Sequence, residues 1–289
     1  MTTIAIVGLG VVGGSFAKAI KENHLSEFNV LAIDKNEETL KQALAEGTIL
    51  EGGTENKTLL QKADIVIIAL YPQAMKAFIK KHALEFKEGA IVTDTAGVKG
   101  ALIANMKDDI PPQIDFIFGH PMAGRESSGY EYATGAIFKG ANYLITPIET
   151  NKIANIERLT ELFKKLGFKR VTVVNPDRHD EMIGFTSQLC HAIAVALINS
   201  DDPDRDTVRF IGDSYRDLTR IAKINQSLWT ELFMENKGAL LDAMTNFEAQ
   251  FSEVKKAVEN DNYHGLESLF TESTSRRIKL ENSDLKGKK

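Results

Sequence analysis

Cysteine is almost missing from this chain: Cys190 is the only one in 289 residues. No internal disulfide can form, and such usage fits a reducing compartment, so a cytoplasmic protein is expected. An excess of positive charge is missing too. Lys and Arg number 35 against 40 Asp and Glu, a net charge of −5. That balance argues against a nucleic-acid partner, and an anionic substrate would need a local basic site. The longest apolar stretch, Met182 to Ile198, is interrupted by Gly184, Gln188 and His191. It reads as a buried helix rather than a membrane span. No basic segment precedes the first apolar run at Thr3, so no signal peptide is expected. No metal-ligand cluster and no internal repeat stand out. What remains, 43% hydrophobic and 26% charged residues, is the composition of a globular protein long enough for two domains.

The N-terminus reads Thr3-Ile4-Ala5-Ile6-Val7-Gly8-Leu9-Gly10-Val11-Val12-Gly13. A β-branched apolar run enters a Gly-x-Gly-x-x-Gly turn, and a helical segment follows over Ser15 to Ile20. Gly8 permits the tight turn, Gly10 lets a pyrophosphate approach the backbone, and Gly13 lets the helix pack close on the strand. The backbone of Leu9, Val11 and Val12 completes the phosphate loop at the helix N-terminus. A second apolar run, Val30 to Ile33, ends at Asp34, 26 positions after Gly8. A carboxylate there can accept hydrogen bonds from the adenosine ribose and repel a 2′-phosphate. An ordinary glycine-rich turn would not explain the place of Asp34. The expected cofactor is therefore NAD.

Strand candidates are Thr3–Val7, Asn29–Asp34, Asp64–Leu70, Ala90–Asp94, Phe116–Phe118 and Tyr143–Thr146, with helices between them at Glu37–Glu46 and Gln73–Glu85. This βαβ rhythm predicts a parallel sheet. A helix over 153–166 and a strand over Arg170–Val174 follow, ended by Asn175-Pro176. Beyond Pro176 the periodicity is helical, predicting helices at 177–199, 205–223, 227–259 and 262–278. The fold class is thus α/β: a Rossmann-type parallel-sheet domain over residues 1–175, then an all-α domain over 176–289. The apolar faces of that second domain, including Leu228, Leu232, Leu240 and Leu241, point to a homodimer.

Three features carry chemistry. His120 stands in Phe118-Gly119-His120-Pro121-Met122-Ala123-Gly124, a glycine- and proline-framed strand end, where an imidazole can take a proton from a hydroxyl as hydride leaves the same carbon. On the 182–198 helix, Gly184, Gln188, His191 and Val195 share a face, either the wall of a site or satisfied core residues. Arg216, Arg220 and Lys223 lie at i, i+4, i+7 on the next helix, either an anion-binding face or a solvated one neutralised by Asp213 and Asp217. A dinucleotide-sensing module without catalysis would need the glycines and Asp34 but has no use for His120 together with Arg220.

The glycine turn, Asp94-Thr95-Ala96-Gly97-Val98-Lys99, Gly119-His120-Pro121-Met122-Ala123-Gly124, Gln188-Leu189-Cys190-His191 and Asp217-Leu218-Thr219-Arg220-Ile221-Ala222 occur in that order. Together they resemble the prephenate dehydrogenase family, which includes arogenate dehydrogenases, over roughly residues 3–260. The resemblance implies NAD-dependent oxidative decarboxylation of prephenate to 4-hydroxyphenylpyruvate in tyrosine biosynthesis. It implies that His120 is the catalytic histidine and that His191 and Gln188 lie in the substrate pocket. Arg220 would anchor a substrate carboxylate, and Glu126 matches an acidic position near the site entrance. Two positions depart from the pattern of many relatives: Gly97 stands where they have serine, and Gln188 where they have histidine.

Overall fold

The computed structural model describes residues 1–286 except Asn56, Arg125, Glu126 and Ser128, with side chains as far as Ser283. It falls into two compact units, Met1–Lys237 and Gly238–Lys289.

The first unit is built on an eight-stranded sheet: β1 (Thr2–Val7), β2 (Phe28–Ile33), β3 (Glu51–Gly53), β4 (Ile65–Ile68), β5 (Ile91–Asp94), β6 (Asp115–Pro121), β7 (Asn142–Thr146) and β8 (Arg170–Val173). The spatial order is β3-β2-β1-β4-β5-β6-β7-β8. All neighbours are parallel except β6 and β7, which pair antiparallel with His120 opposite Leu144. Helices α1 (Val11–Glu22), α2 (Glu37–Ala45), α3 (Lys57–Lys62), α4 (Pro72–Lys81), α5 (Gly100–Met106) and α6 (Ile153–Lys165) cover its faces.

The alternation of side chains along the central strands divides the core in two. Ile4, Ile6, Ile65, Ile67, Ile91 and Ile117 face Phe16, Phe138 and Phe163 on one side. Ala5, Val7, Val66, Ile68, Val92, Phe116 and Phe118 face Leu60, Met75, Ile79 and Leu102 on the other. Both faces being covered is why these strands read as nearly continuous apolar runs rather than alternating ones.

After β8 the chain turns through Asn175, whose side chain accepts from the Arg178 N–H, into α7 (Pro176–Ile183). A π turn over Gly184–Gln188 leads on into α8 (Leu189–Asn199) without a break. Over Pro176–Asn199 this run is long and apolar enough to cross a membrane by length and composition, and it is not the buried helix expected: only 28% of its most apolar stretch is buried, Gln188, Leu189 and Ala194 within the unit, while Phe185 and Ile198 are exposed. Then come α9 (Asp213–Thr219) and α10 (Gln226–Glu235). The second unit holds most of α11 (Lys237–Glu259) and α12 (Tyr263–Lys286), joined by a turn in which Asp261 takes a left-handed conformation, φ 47°.

Four elements differ from the sequence reading. The helix expected over 205–223 is α9 flanked by 3₁₀ turns at Thr207–Phe210 and Arg220–Ala222. Gly212 starts α9 with extended backbone, so nothing propagates from residue 205. The helix expected over 227–259 is broken at Asn236, whose side chain is drawn into buried hydrogen bonds. The edge strand β3 has two glycines in three residues and carries no β-propensity signal. The strand expected at Tyr143–Thr146 is there as β7, but it runs antiparallel to β6 rather than parallel, because a βαβ rhythm leaves open the direction of a strand reached without an α-helical crossover.

Candidate active site

The C-terminal ends of β1, β4, β5 and β6 lie along one edge of the sheet, and the strand order reverses between β1 and β4. Such a reversal opens a crevice where ligands bind. At the end of β1, Gly8 takes φ +89°, and a β-carbon there would stand 2.6 Å from the Ala69 carbonyl oxygen. At Gly13 a β-carbon would stand 1.9 Å from the Gly8 carbonyl oxygen, so only glycine lets α1 start this close to the strand. Gly10 faces open space. As N-cap of α1 it has no side-chain cap, and the first turn carries no acid. The N–H groups of that turn are therefore available to an anion. Asp34 directly follows β2 beside them. Its Oδ2 accepts from the Leu9 N–H at 2.6 Å and its Oδ1 from the Asn36 N–H at 2.8 Å, which aims the carboxylate at the loop. This donor set, with a carboxylate at the second strand's end, fits a dinucleotide with a pyrophosphate on α1 and an unphosphorylated ribose.

At the end of β6 the backbone is fixed before the side chain is. The Gly119 N–H donates to Asp94 Oδ1 at 2.9 Å. A β-carbon at Gly119 would lie 2.2 Å from the Tyr143 hydroxyl. Asp94 is in turn paired with Lys99, Nζ to Oδ2 2.8 Å, both side chains fully buried. Lys99 Nζ also donates to the carbonyls of Ala96 and Val98.

His120 Nδ1 lies 2.9 Å from His179 Nε2, and His179 Nδ1 lies 2.7 Å from Asp180 Oδ1. Asp180 accepts as well from the Lys99 N–H at 2.9 Å and the Gly100 N–H at 2.7 Å. His120 Nε2 has no hydrogen-bond partner among the described residues. It borders Gly97: a β-carbon there would lie 3.7 Å from that nitrogen and 3.4 Å from Leu232. Burial, then the His179 ring, then the Lys99 ammonium push the His120 imidazole well below its ordinary pKa. His179 is lowered too, by burial against the opposing pull of Asp180. A neutral imidazole whose Nε2 has no hydrogen-bond partner among the described residues can act as a proton acceptor.

The helical wall is less uniform than its spacing suggests. Gln188 is buried, at 1% exposure. Its amide donates to the Leu232 carbonyl at 2.9 Å and accepts from Asn236 Nδ2 at 2.7 Å. Asn236 also donates to the Asp180 carbonyl. The structure thus sets Gln188 as a brace between the π turn and α10, of the two readings the satisfied interior one. His191 is partly buried. Its Nδ1 donates to the Ser187 carbonyl at 2.9 Å, and its ring stacks on Trp229 with centroids 3.6 Å apart. Trp229 and Leu232 are three residues apart on α10, so one helix face touches both His191 and the Gly97 side of His120. Arg220 is exposed on the 3₁₀ turn after α9, while Arg216 pairs with Asp213 at 3.2 Å. The single basic helical face through Arg216, Arg220 and Lys223 is interrupted, because the helix ends at Thr219. Glu126 lies outside the described residues.

Family models match nearly the whole chain. "Prephenate dehydrogenase, nucleotide-binding domain" matches residues 16–172, and "Prephenate dehydrogenase, dimerization domain" matches residues 175–272. The chain belongs to the prephenate dehydrogenase family. Among similar proteins, a cyclohexadienyl dehydrogenase of Zymomonas mobilis is 28% identical over 96% of this chain and 95% of its own length. The crystal structure of the A. aeolicus prephenate dehydrogenase, in complex with hydroxyphenyl propionate and NAD+, superimposes with a TM-score of 0.87. It is 29% identical and covers 97% of this chain and 98% of its own. Synechocystis arogenate dehydrogenase superimposes with a TM-score of 0.81 at 25% identity, covering 96% of this chain and 100% of its own.

For this prephenate dehydrogenase family member, four polar residues around His120 escaped the sequence reading: His179, Asp180, Lys99 and Asp94. Asp94 and Lys99 bound a segment that carries the resemblance, but spacing assigns them no partner. His179-Asp180 is a polar pair in the first turns of a helix, a pattern that normally reads as solvated. Only the packing of α7 against the β5–α5 loop makes them neighbours of a histidine 59 positions away.

Proposed function

We propose that this protein catalyses the NAD-dependent oxidative decarboxylation of prephenate to 4-hydroxyphenylpyruvate. It would act as a homodimer in the cytoplasm, with residues 1–175 binding the dinucleotide and residues 176–289 supplying substrate and dimer contacts. The observation that carries the reading is His120, held from behind with Nε2 bare, at the strand edge that also presents the uncapped start of α1. The resident cofactor supplies a hydride acceptor when bound. Gly8, Gly10 and Gly13, with the N–H groups of Val11 and Val12, would cradle its pyrophosphate, and Asp34 would hold the ribose. His120 Nε2 takes the ring hydroxyl proton while hydride leaves the same carbon, and the alcohol becomes a ketone. That ketone draws in the electron pair released as carbon dioxide departs, and the ring becomes aromatic. Arg220 would hold a substrate carboxylate as a bidentate pair, and His191, steadied by Trp229, would line the pocket. Glu126 is retained as an entrance acid on the resemblance alone.

The relatives include an arogenate dehydrogenase at 25% identity, so the side chain of the substrate is the open variable. The test is NADH absorbance with prephenate, with arogenate and with neither. Faster formation with prephenate is expected. A kcat/KM higher for arogenate would move the assignment to that substrate, and no NADH from either would overturn it.

A further inference from the structure

We propose that His179 and Asp180 are positioning residues: they fix His120 in the tautomer with a bare Nε2 and share the positive charge that forms when it takes a proton. The proposal rests on the reading of His120 as proton acceptor.

The chain of contacts fixes the hydrogens. A carboxylate oxygen accepts, and Asp180 already accepts from the backbone N–H groups of Lys99 and Gly100. His179 Nδ1, 2.7 Å from Asp180 Oδ1, must therefore carry the hydrogen. His179 Nε2 is then the lone-pair nitrogen, and His120 Nδ1 at 2.9 Å must donate to it. That leaves the lone pair of His120 on Nε2, toward the gap between Gly97 and Leu232. The opposite arrangement would set a bare His179 Nδ1 against a carboxylate, two acceptors face to face.

The intervening ring also sets the resting charge. A carboxylate in direct contact with His120 would raise its pKa and favour its charged form. Here the carboxylate is one ring further away. The charged groups near the pair are Asp180, the Asp94–Lys99 ion pair and, through Lys99 and Asp180, Glu235. Lys99 opposes protonation of both histidines. When the substrate O–H bond breaks, its proton goes to His120 Nε2, and hydride from the same carbon goes to the nicotinamide. The Nδ1 hydrogen of His120 is drawn toward His179 Nε2, and the new charge spreads over two rings backed by Asp180. At the other end, Gln188 and Asn236 tie the Asp180 carbonyl to α10, so the relay is clamped to the wall that carries Leu232.

The experiment compares His179→Phe, His179→Gln and Asp180→Asn in the full-length enzyme. It reads kcat and KM for the substrate, NAD affinity by fluorescence, and the His120 tautomer by ¹⁵N NMR of histidine-labelled protein. His179→Phe should lower kcat by about 10²-fold or more, the scale of losing a histidine's orienting partner, with KM and NAD affinity within about threefold. His179→Gln keeps an oxygen acceptor for His120 Nδ1 and should recover about tenfold of that loss. Asp180→Asn keeps an amide oxygen for the Lys99 N–H and the His179 Nδ1 hydrogen, which share Oδ1, but removes the charge that backs the two rings, so its kcat should fall by less than in His179→Phe with the His120 tautomer unchanged. If Asp180→Asn does not fold, the two His179 variants and the wild-type spectrum still decide. A wild-type His120 with hydrogen on Nε2, a His179→Phe enzyme with normal kcat, or equal losses in the Phe and Gln variants with an unchanged tautomer would each overturn the proposal. An inactive His120→Asn enzyme beside normal His179 variants would sink the relay alone, whereas an active His120→Asn enzyme would sink the underlying reading.

Discussion

Lys99→Met tests whether the buried ion pair behind the site holds the fold and sets the charge of His120. The Lys99 and Asp94 side chains are both fully buried, and Lys99 Nζ spends its hydrogens on Asp94 Oδ2, the Ala96 carbonyl and the Val98 carbonyl. Methionine is close in volume, so little cavity is opened. The cost comes from leaving the Asp94 charge buried with only the Gly119 and Ala96 N–H groups, together with two carbonyls that lose a donor. Breaking a buried pair on one side costs about 3–5 kcal/mol. For a unit of this size each kcal/mol lowers Tm by roughly 2–4 °C, so a fall of roughly 6–20 °C is expected in thermal unfolding followed by circular dichroism. A second readout belongs to function. Lys99 helps hold the His120 imidazole below its ordinary pKa of about 6.5. The wild-type enzyme therefore keeps its base neutral below that pH, and activity falls only as pH drops through the lowered value. Without the ammonium, the His120 pKa rises and the acid limb of kcat moves to higher pH. Asp94→Asn/Lys99→Met removes both charges and should regain part of the lost stability. A Lys99→Met protein with Tm within about 2 °C of wild type, and an acid limb that has not moved, would refute the reasoning on both counts.

His120→Asn keeps a hydrogen-bonding group but not the base, and turnover should fall by ~10²–10⁴ with NAD affinity nearly unchanged, measured by steady-state kinetics and cofactor titration. Asp34 should make the wild-type enzyme prefer NAD over NADP, with Lys35 beside it softening the preference; equal rates with the two cofactors at equal concentration would remove the role given to Asp34. Arg220→Ala should mainly raise KM, by about 30- to 1000-fold, with Arg220→Lys recovering only part. An unchanged KM with a lower Tm would instead make Arg220 a structural residue. The two buried histidines also give a stability prediction. Both have folded pKa values below about 6.5, so the unfolded chain binds more protons as pH falls through that value. Denaturant midpoints should decrease on acidification from about pH 7 toward 5; midpoints that rise over that range would contradict it.

Much is legible in the amino-acid sequence because it depends on local chemistry. Gly8 and Gly13 are forced by a left-handed turn and by helix–strand contact, and those demands are written into residue type. The apolar strand runs announce a sheet covered on both faces, and Asn175-Pro176 marks the helix start that the structure bears out. His120 stands out because glycine and proline frame it. Helix boundaries in the second half are less legible. Periodicity continues through Gly212 and Asn236, while the actual breaks follow from backbone geometry at Gly212 and from hydrogen bonds that Asn236 makes to residues 48 and 56 positions away.

The sequence by itself determined the α/β class and the glycine turn, and singled out Asp34 and His120 as candidates for holding a ribose and accepting a proton, since each rests on residues near one another along the chain. Only the tertiary structure decided what makes that histidine a usable base. The direction of β7, the burial of Lys99 against Asp94 and the seating of His179 and Asp180 behind His120 all join segments far apart in sequence. Gln188 shows the same division from the other side. Its place on a helix face suits a ligand contact, and its neighbours in space turn it into a brace. A lone polar side chain has no fixed meaning until packing decides which groups remain to satisfy it, because in a buried site a hydrogen bond made or missing outweighs any preference encoded along the chain.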